Sequence, residues 1–188
     1  PGMELLMINS NVKHQHTESE YADRRAQCER AAQTLGVKAL RDVSMEHLRA
    51  HHADLDELHY RRAHHIVSEN IRTLKAAEAM AEGNWSQAGR LMYASHASMR
   101  HAFEITCPEL DLLVELAADI GEDGGLYGAR MTGGGFGGCA VMLVKAAAVE
   151  SIVATIAESY TAQTGIETSA YVSRPVRGAH ELDLTEWT

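Results

Sequence analysis

Residues 130–139 read Arg130-Met131-Thr132-Gly133-Gly134-Gly135-Phe136-Gly137-Gly138-Cys139, five glycines in six positions ahead of an apolar strand, Cys139–Val144. Glycine loses more conformational freedom on folding than any other residue. A cluster therefore marks backbone that takes positive φ or approaches another surface closely. Successive bare N–H groups can also form an anion-binding nest. No Lys-Ser or Lys-Thr follows the last glycine, so the run is not a Walker loop. Spacing alone leaves two readings open: a functional loop, or a wide hairpin turn or bulge.

The flanking pattern sets this run in a small α/β unit. Leu126–Met131 and Cys139–Val144 read as strands. Val149, Ile152, Val153, Ile156, Ala157 and Tyr160 form a helical stripe closed by Gly165, and Glu167–Ser173 alternates as a strand does. Upstream, Pro108 suits the first turn of a helix with Leu110, Leu113, Val114, Ala117 and Ile120 on one face, ended by Gly121 and Gly124-Gly125. The order α-β-β-α-β is a large part of a ferredoxin-like unit.

The earlier residues are mostly helical. Glu4–Asn9 reads as a strand. The capping-box pattern Thr17-Glu18-Ser19-Glu20 then predicts a helix to Gly36, with Tyr21, Arg25, Cys28, Ala32 and Leu35 in one stripe. A short helix follows over Ser44–His52, capped by Ser44. A long one runs from Leu58 to Ala81 with Ala63, Val67, Ile71, Leu74 and Ala77 on one face, stopped by Gly83, and Trp85–Phe103 continues as helix. The fold class is α+β: one domain over residues 1–188, with a first strand and helical part at 1–107 and a ferredoxin-like part with the glycine loop at 108–188.

Composition narrows the function classes. Hydrophobic residues make up 45% and charged residues 23%, an ordinary globular mixture. A formal net charge of −9 argues against a nucleic-acid partner without excluding a nucleotide held by local donors. No apolar run reaches bilayer-spanning length, so no membrane partner is expected. Three cysteines, Cys28, Cys107 and Cys139, with no CxxC pair point to reduced thiols in the cytoplasm. Each reads as a small buried hydrophobe, not a nucleophile. The 11 histidines include His51-His52 and His64-His65 but no HExxH, so no metal site is expected.

Gly128-Ala129-Arg130-Met131-Thr132-Gly133-Gly134-Gly135-Phe136-Gly137-Gly138-Cys139 resembles the third signature motif of the GHMP sugar and metabolite kinases, in the form of their galactokinase branch. Other segments are similar to that branch in the same order. They are Asn9-Ser10-Asn11-Val12-Lys13-His14; Ser19-Glu20-Tyr21 with Arg24-Arg25 and Gln27-Cys28-Glu29; Ala39-Leu40-Arg41-Asp42-Val43; Ser95-His96 with Ser98-Met99-Arg100; and Cys107-Pro108-Glu109-Leu110-Asp111.

The resemblance implies the C-terminal domain of a GHMP kinase, a ferredoxin-like core with additional helices. In the intact enzyme it implies ATP-dependent, Mg²⁺-assisted phosphorylation of galactose to galactose 1-phosphate. It also implies that an N-terminal half lies upstream and is absent, and with it the sugar-binding signature, phosphate loop, catalytic aspartate and magnesium ligands. On that basis residues 1–188 hold no catalytic residue, no metal ligand and no cofactor of their own, and the fragment alone is inactive.

Residue by residue, Tyr21 matches the tyrosine that contacts the sugar, although propensity alone reads it as an aromatic packed near a helix start. Lys13 matches a basic residue near the nucleotide phosphates, or is a solvated lysine. Gly133, Gly134, Gly135, Gly137 and Gly138 match the loop that borders the active site, with Phe136 as its hydrophobic anchor. His96 takes a packing or domain-contact role. His101-Ala102 stand where the family carries two acidic residues, which predicts a weakened charge-pair role for that segment. Two other readings stay open: another GHMP kinase, acting on arabinose, a galactosamine derivative, mevalonate or homoserine, or a stand-alone ferredoxin-like ligand-binding module.

Overall fold

The computed structural model describes residues 2–13 and 17–174; residues 14–16 and the side chains of Lys13, Thr17 and Glu18 lie outside the described residues. The chain order begins with β1 (Met3–Lys13), followed by the helices α1 (Thr17–Thr34), α2 (Met45–Ala50), α3 (Glu57–Ala81), α4 (Trp85–Ser98) and α5 (Pro108–Ile120). It closes with β2 (Leu126–Thr132), β3 (Gly137–Lys145), α6 (Val149–Thr164) and β4 (Ser169–Ser173).

The strands form one antiparallel sheet in the order β2-β3-β1-β4. The first strand in sequence thus lies in the middle of the sheet, between β3 and β4. With α5 and α6 it completes the β-α-β-β-α-β ferredoxin-like topology, and α1–α4 occupy the long connection between β1 and α5.

Alternation along β1 sorts the two faces of the sheet. Leu6 and Ile8 point into the main core with Leu110, Leu113, Met131, Met142, Ile152, Ile156 and Tyr160, which seats α5 and α6 on that face. Met3 and Leu5 point the other way, against Ala79, Ala88, Met92 and Leu143, so α3 and α4 cover part of the second face. A separate small core of Ala31, Leu35, Leu40, Val43, Leu48, Ala63 and Val67 ties α1, α2 and α3 together.

Local signals act where the sequence places them. The Ser44 side chain caps α2 by accepting the His47 N–H at 3.0 Å. Pro108 opens α5, and Gly165 ends α6 with φ +73°. Helix α4 meets strand β2 through two glycines. A Cβ on Gly89 would stand 1.8 Å from the Tyr127 carbonyl oxygen, and one on Gly128 would stand 2.3 Å from Gly89 Cα. Only bare backbone lets helix and strand approach so closely.

Two predicted faces are corrected. On α1 the stripe does not extend to the helix start: Tyr21 and Arg25 are exposed, and burial begins at Ala31 and Ala32. On α3, Ile71 and Leu74 are exposed while Arg62, His65 and Ser68 are buried beside Ala63 and Val67. Hydrogen bonds offset the cost of burying that polar face: Arg62 alone reaches Gln27, Ala102 and Glu104.

Candidate functional site

Strands β2 and β3 pair as far as Thr132 opposite Cys139, so the glycine run is the connection of an antiparallel hairpin. Four of its glycines take positive φ: Gly133 at +91°, Gly135 at +94°, Gly137 at +125° and Gly138 at +90°. Phe136 joins them at +60°, which a side chain rarely adopts. Such a conformation persists when neighbours over-determine it, and here they do. The Phe136 N–H donates to the Ile105 carbonyl at 2.7 Å, and the ring packs on the edge of the main core as the expected anchor.

The two halves of the loop differ. A Cβ on Gly133 or Gly134 would meet no atom within 4 Å, whereas one on Gly135 would stand 2.4 Å from the Ile105 oxygen. Gly133 and Gly134 are exposed. The loop is therefore clamped at Gly135-Phe136 and open at Gly133-Gly134.

The end of β1 reaches the same place through an irregularity. Between Asn9, opposite Cys139, and Lys13, opposite Gly137, the register shifts around Asn11, whose φ is +55°. Side chains hold this bulge: Asn11 Nδ2 donates to the Glu167 carbonyl at 2.7 Å, and Ser10 Oγ to the Gly138 carbonyl at 2.9 Å. From the core, the Tyr160 hydroxyl donates to the Ser10 carbonyl at 2.9 Å. The bulge brings the Lys13 backbone alongside Gly137.

The first half of α1 is the third support. Arg24 Nε donates to the Phe103 carbonyl at 2.7 Å and its Nη2 to the Glu104 carbonyl at 2.8 Å, while its guanidinium stands 5.9 Å from the centroid of the Phe136 ring. Tyr21 lies one turn before Arg24, on the same side of the helix, and is 61% exposed. It is thus a free aromatic side chain and not the packed residue that propensity alone suggests.

Behind these groups sits a charged cluster. α4 ends in a π-type turn, Met99–Phe103, followed by Glu104 in the left-handed region at φ +56°. The Glu104 carboxylate accepts from Arg62 at 2.5 Å and from Arg61 at 2.8 Å. The Arg62 hydrogen bond foremost, then that of Arg61, holds its carboxyl below the usual carboxylate range despite some desolvation.

A second cluster fixes the strand that enters the loop. The Met131 N–H donates to His96 Nδ1 at 3.2 Å, which leaves the proton on Nε2 to be donated to Asp111 Oδ1 at 3.1 Å. Asp111 also pairs with Arg100 at 3.0 Å, and Arg100 reaches Glu115 at 2.8 Å. Burial pushes the Asp111 carboxyl upward, but hydrogen bonds from His96 and Thr106 and the Arg100 charge outweigh it and lower the pKa. The weakened charge-pair role expected from His101-Ala102 is thereby corrected: Arg100 finds its acidic partners on α5.

Two of the thiols are chemically quiet. Burial pushes both Cys28 and Cys107 up to about 11, so neither is a thiolate near neutral pH. Cys107 is buried as expected, but Cys28, which lines the groove between α1 and α3, and Cys139 are only half-buried. Among the described residues no three His, Cys, Asp or Glu side chains gather into a metal cage.

Two cavities lie away from the loop tip. One of about 700 Å³ runs between α1 and α3 and is lined by Arg25, Cys28, Lys38, Arg41 and Ile66. The other, about 420 Å³, lies between α3, α4 and the sheet, and includes Arg130 and Thr132 just before the glycines. Neither is lined by Tyr21 or by the five loop glycines. The structure thus gathers Lys13 and the glycines at one end of the sheet, with Tyr21 on the helix that Arg24 ties to it. Sequence reading named Arg24 only as part of a motif, and it missed Arg62, Glu104 and Ile105. Nothing in composition marks a glutamate that will take positive φ.

Known proteins resemble this chain in sequence and in fold. The family model described as GHMP kinases C terminal matches residues 76–162. The galactokinase of Glaesserella parasuis serovar 5 is 53% identical over 175 residues, covering 91% of this chain and 45% of that protein. The galactokinase of Actinobacillus succinogenes is 50% identical over 181 residues, covering 94% and 46%. The crystal structure of Lactococcus lactis galactokinase complexed with galactose superposes with a TM-score of 0.86 at 36% identity, over 92% of this chain and 45% of that one. L. major mevalonate kinase in complex with R-mevalonate superposes with a TM-score of 0.55 at 19% identity, a likeness of fold alone.

The chain spans about half the length of the curated relatives it matches. Among the described residues no helix is long and apolar enough to cross a membrane. Over nearly its whole length the chain matches the galactokinases of the GHMP kinase family, as a partial match corresponding to their C-terminal portion.

Proposed function

We propose that this chain is the C-terminal part of a galactokinase, the half that closes one side of the galactose pocket while ATP-dependent phosphorylation takes place against it. The single observation that carries the reading is the glycine loop. Its Gly135-Phe136 end is clamped to Ile105, and its Gly133-Gly134 end offers bare backbone to solvent, in a fold that superposes on a galactose-bound galactokinase. Bare backbone lets a polar, hydroxyl-covered ligand approach within hydrogen-bond distance of N–H groups.

Phosphoryl transfer is mostly positioning and charge stabilisation. In this reading the chain supplies positioning. Tyr21 offers an exposed ring and hydroxyl to the sugar, Lys13, whose backbone pairs with Gly137 beside the loop, is assigned to the phosphates, and the loop fixes the pocket wall. The Mg²⁺ ligands and the catalytic aspartate are assigned to the remainder of the intact enzyme. The reaction belongs to the cytoplasm, where free thiols such as Cys28, Cys107 and Cys139 persist.

The test is galactose-dependent ATP consumption by the full-length protein, against a panel that includes arabinose and mevalonate. Galactose turnover is the expected outcome, with none by residues 1–188 alone. Preference for another acceptor overturns the substrate. Tyr21→Phe in the active protein is expected to raise the galactose KM roughly tenfold with kcat nearly unchanged, the loss of one hydrogen bond. An unchanged KM removes Tyr21 from the pocket.

A further inference from the structure

The turn after α4 presents an unusual run of occupied carbonyls. His101 and Ala102 accept from Arg61 and Arg62 at 3.3 and 2.6 Å. Phe103 and Glu104 both accept from Arg24, and Ile105 accepts from the Phe136 N–H of the glycine loop. The last carbonyls of a helix have no partners within it. Three arginines cap this end, and the final carbonyl is left to hold the loop.

Arg24 differs from the other two in what it connects. Arg61 and Arg62 come from α3 and share the Glu104 carboxylate. Arg24 comes from α1, one turn after Tyr21. It bonds the two carbonyls immediately before Ile105, and it also faces the Phe136 ring. A guanidinium can do all of this because its N–H groups form a planar fork whose face stacks on an aromatic ring.

We propose that Arg24 is the positioning residue that locks the glycine loop to the helix carrying Tyr21, and that it sets galactose affinity through that lock. The affinity half rests on the galactose reading above; the locking half does not. Arg24 fixes residues 103 and 104, these fix the direction of the Ile105 carbonyl, and that carbonyl fixes Phe136 and limits Gly135. The same side chain sets the spacing between loop and Tyr21, so the two walls of the pocket move together or not at all.

Two readouts on the full-length protein test this. Amide hydrogen exchange of the peptide spanning 133–138 reads the lock without reference to activity. Arg24→Ala is expected to speed exchange at Phe136 about tenfold, the loss of about one hydrogen bond's worth of protection. Steady-state kinetics read the affinity: the galactose KM rises about tenfold while the ATP KM stays within about twofold. Arg24→Lys, which keeps the charge but cannot fork to two carbonyls, falls between wild type and Arg24→Ala on both scales.

Wild-type exchange at the loop in Arg24→Ala overturns the lock. Faster exchange with an unchanged galactose KM overturns the link to affinity. If Arg24→Ala does not fold, Arg24→Lys decides alone, with faster loop exchange and a raised galactose KM supporting the proposal and wild-type values overturning it. A wild-type protein that does not phosphorylate galactose sinks the galactose reading and the affinity half with it, and the exchange arm still decides the lock.

Discussion

Strand β2 has glycines at both ends, and they are there for opposite reasons. Near its start, Gly128 meets Gly89 of α4 where a single added carbon would lie inside backbone atoms. Past its end, Gly133 and Gly134 face open space. The first pair makes a helix and a strand touch; the second leaves backbone uncovered. A contact that excludes Cβ atoms serves packing, and only the reverse case, exposed bare backbone on a clamped turn, is available to a ligand. Residue type alone does not distinguish them.

The comparison breaks most visibly at the packed end. Gly89→Ala forces a Cβ to 1.8 Å from the Tyr127 oxygen, and neither partner is a flexible side chain that can move aside. A loss of about 3 kcal/mol or more is expected from overpacking, read as a Tm drop on the order of 6–12 °C in thermal unfolding. A Tm within about 2 °C of wild type would mean that α4 and β2 are not held in contact there. Gly135→Ala comes next. It combines φ +94° with a Cβ 2.4 Å from the Ile105 oxygen, and about 2 kcal/mol is expected by urea denaturation.

Much of this architecture can be read from the residues. The strand reading of Glu4–Asn9, the start of α1 at Thr17, Ser44 as a cap, Pro108 at a first turn and Gly165 at a last one rest on local signals, and the elements obey them. What does not follow locally is which surface each element presents. Counting apolar residues put Ile71 and Leu74 on the buried face of α3. The buried face carries, beside Ala63 and Val67, the polar residues Arg62, His65 and Ser68; Arg62 and His65 bond residues far away in sequence, Gln27, Glu104 and Ser98. The candidate loop was legible through its glycines. Its supports were not, because the positive φ of Glu104 and the Ile105 carbonyl are consequences of tertiary packing with no compositional trace.

The clamped end also carries a titratable contact. His65 stacks on Phe103, ring centroids 4.4 Å apart, and its Nδ1 bonds Ser98 Oγ at 2.9 Å. Burial, opposed by Glu69 and reinforced by Arg72, Arg130 and His64, pushes its pKa from 6.5 down to about 4. The folded protein therefore keeps this ring neutral between about pH 4 and 6.5, where the unfolded chain binds a proton. Stability from this group is complete above pH 6.5 and is lost as pH falls toward 4, at no more than about 1.4 kcal/mol per pH unit. Urea midpoints at pH 7 and pH 5 check this. His65→Asn is expected to flatten the difference, and an undiminished slope would place the acid sensitivity elsewhere.

The smallest effect is the sharpest test of the open end. Gly134 is the loop glycine without positive φ, and its added Cβ meets nothing. Gly134→Ala should leave stability within about 0.5 kcal/mol of wild type, against about 2 kcal/mol for its neighbour Gly135→Ala. If the open face is where a sugar lies, that silent substitution becomes costly in one measurement only, the galactose KM of the full-length protein. A variant as stable as wild type with weakened galactose binding separates a ligand-facing glycine from a packing one. A variant with neither change would assign the glycine at 134 to the turn alone.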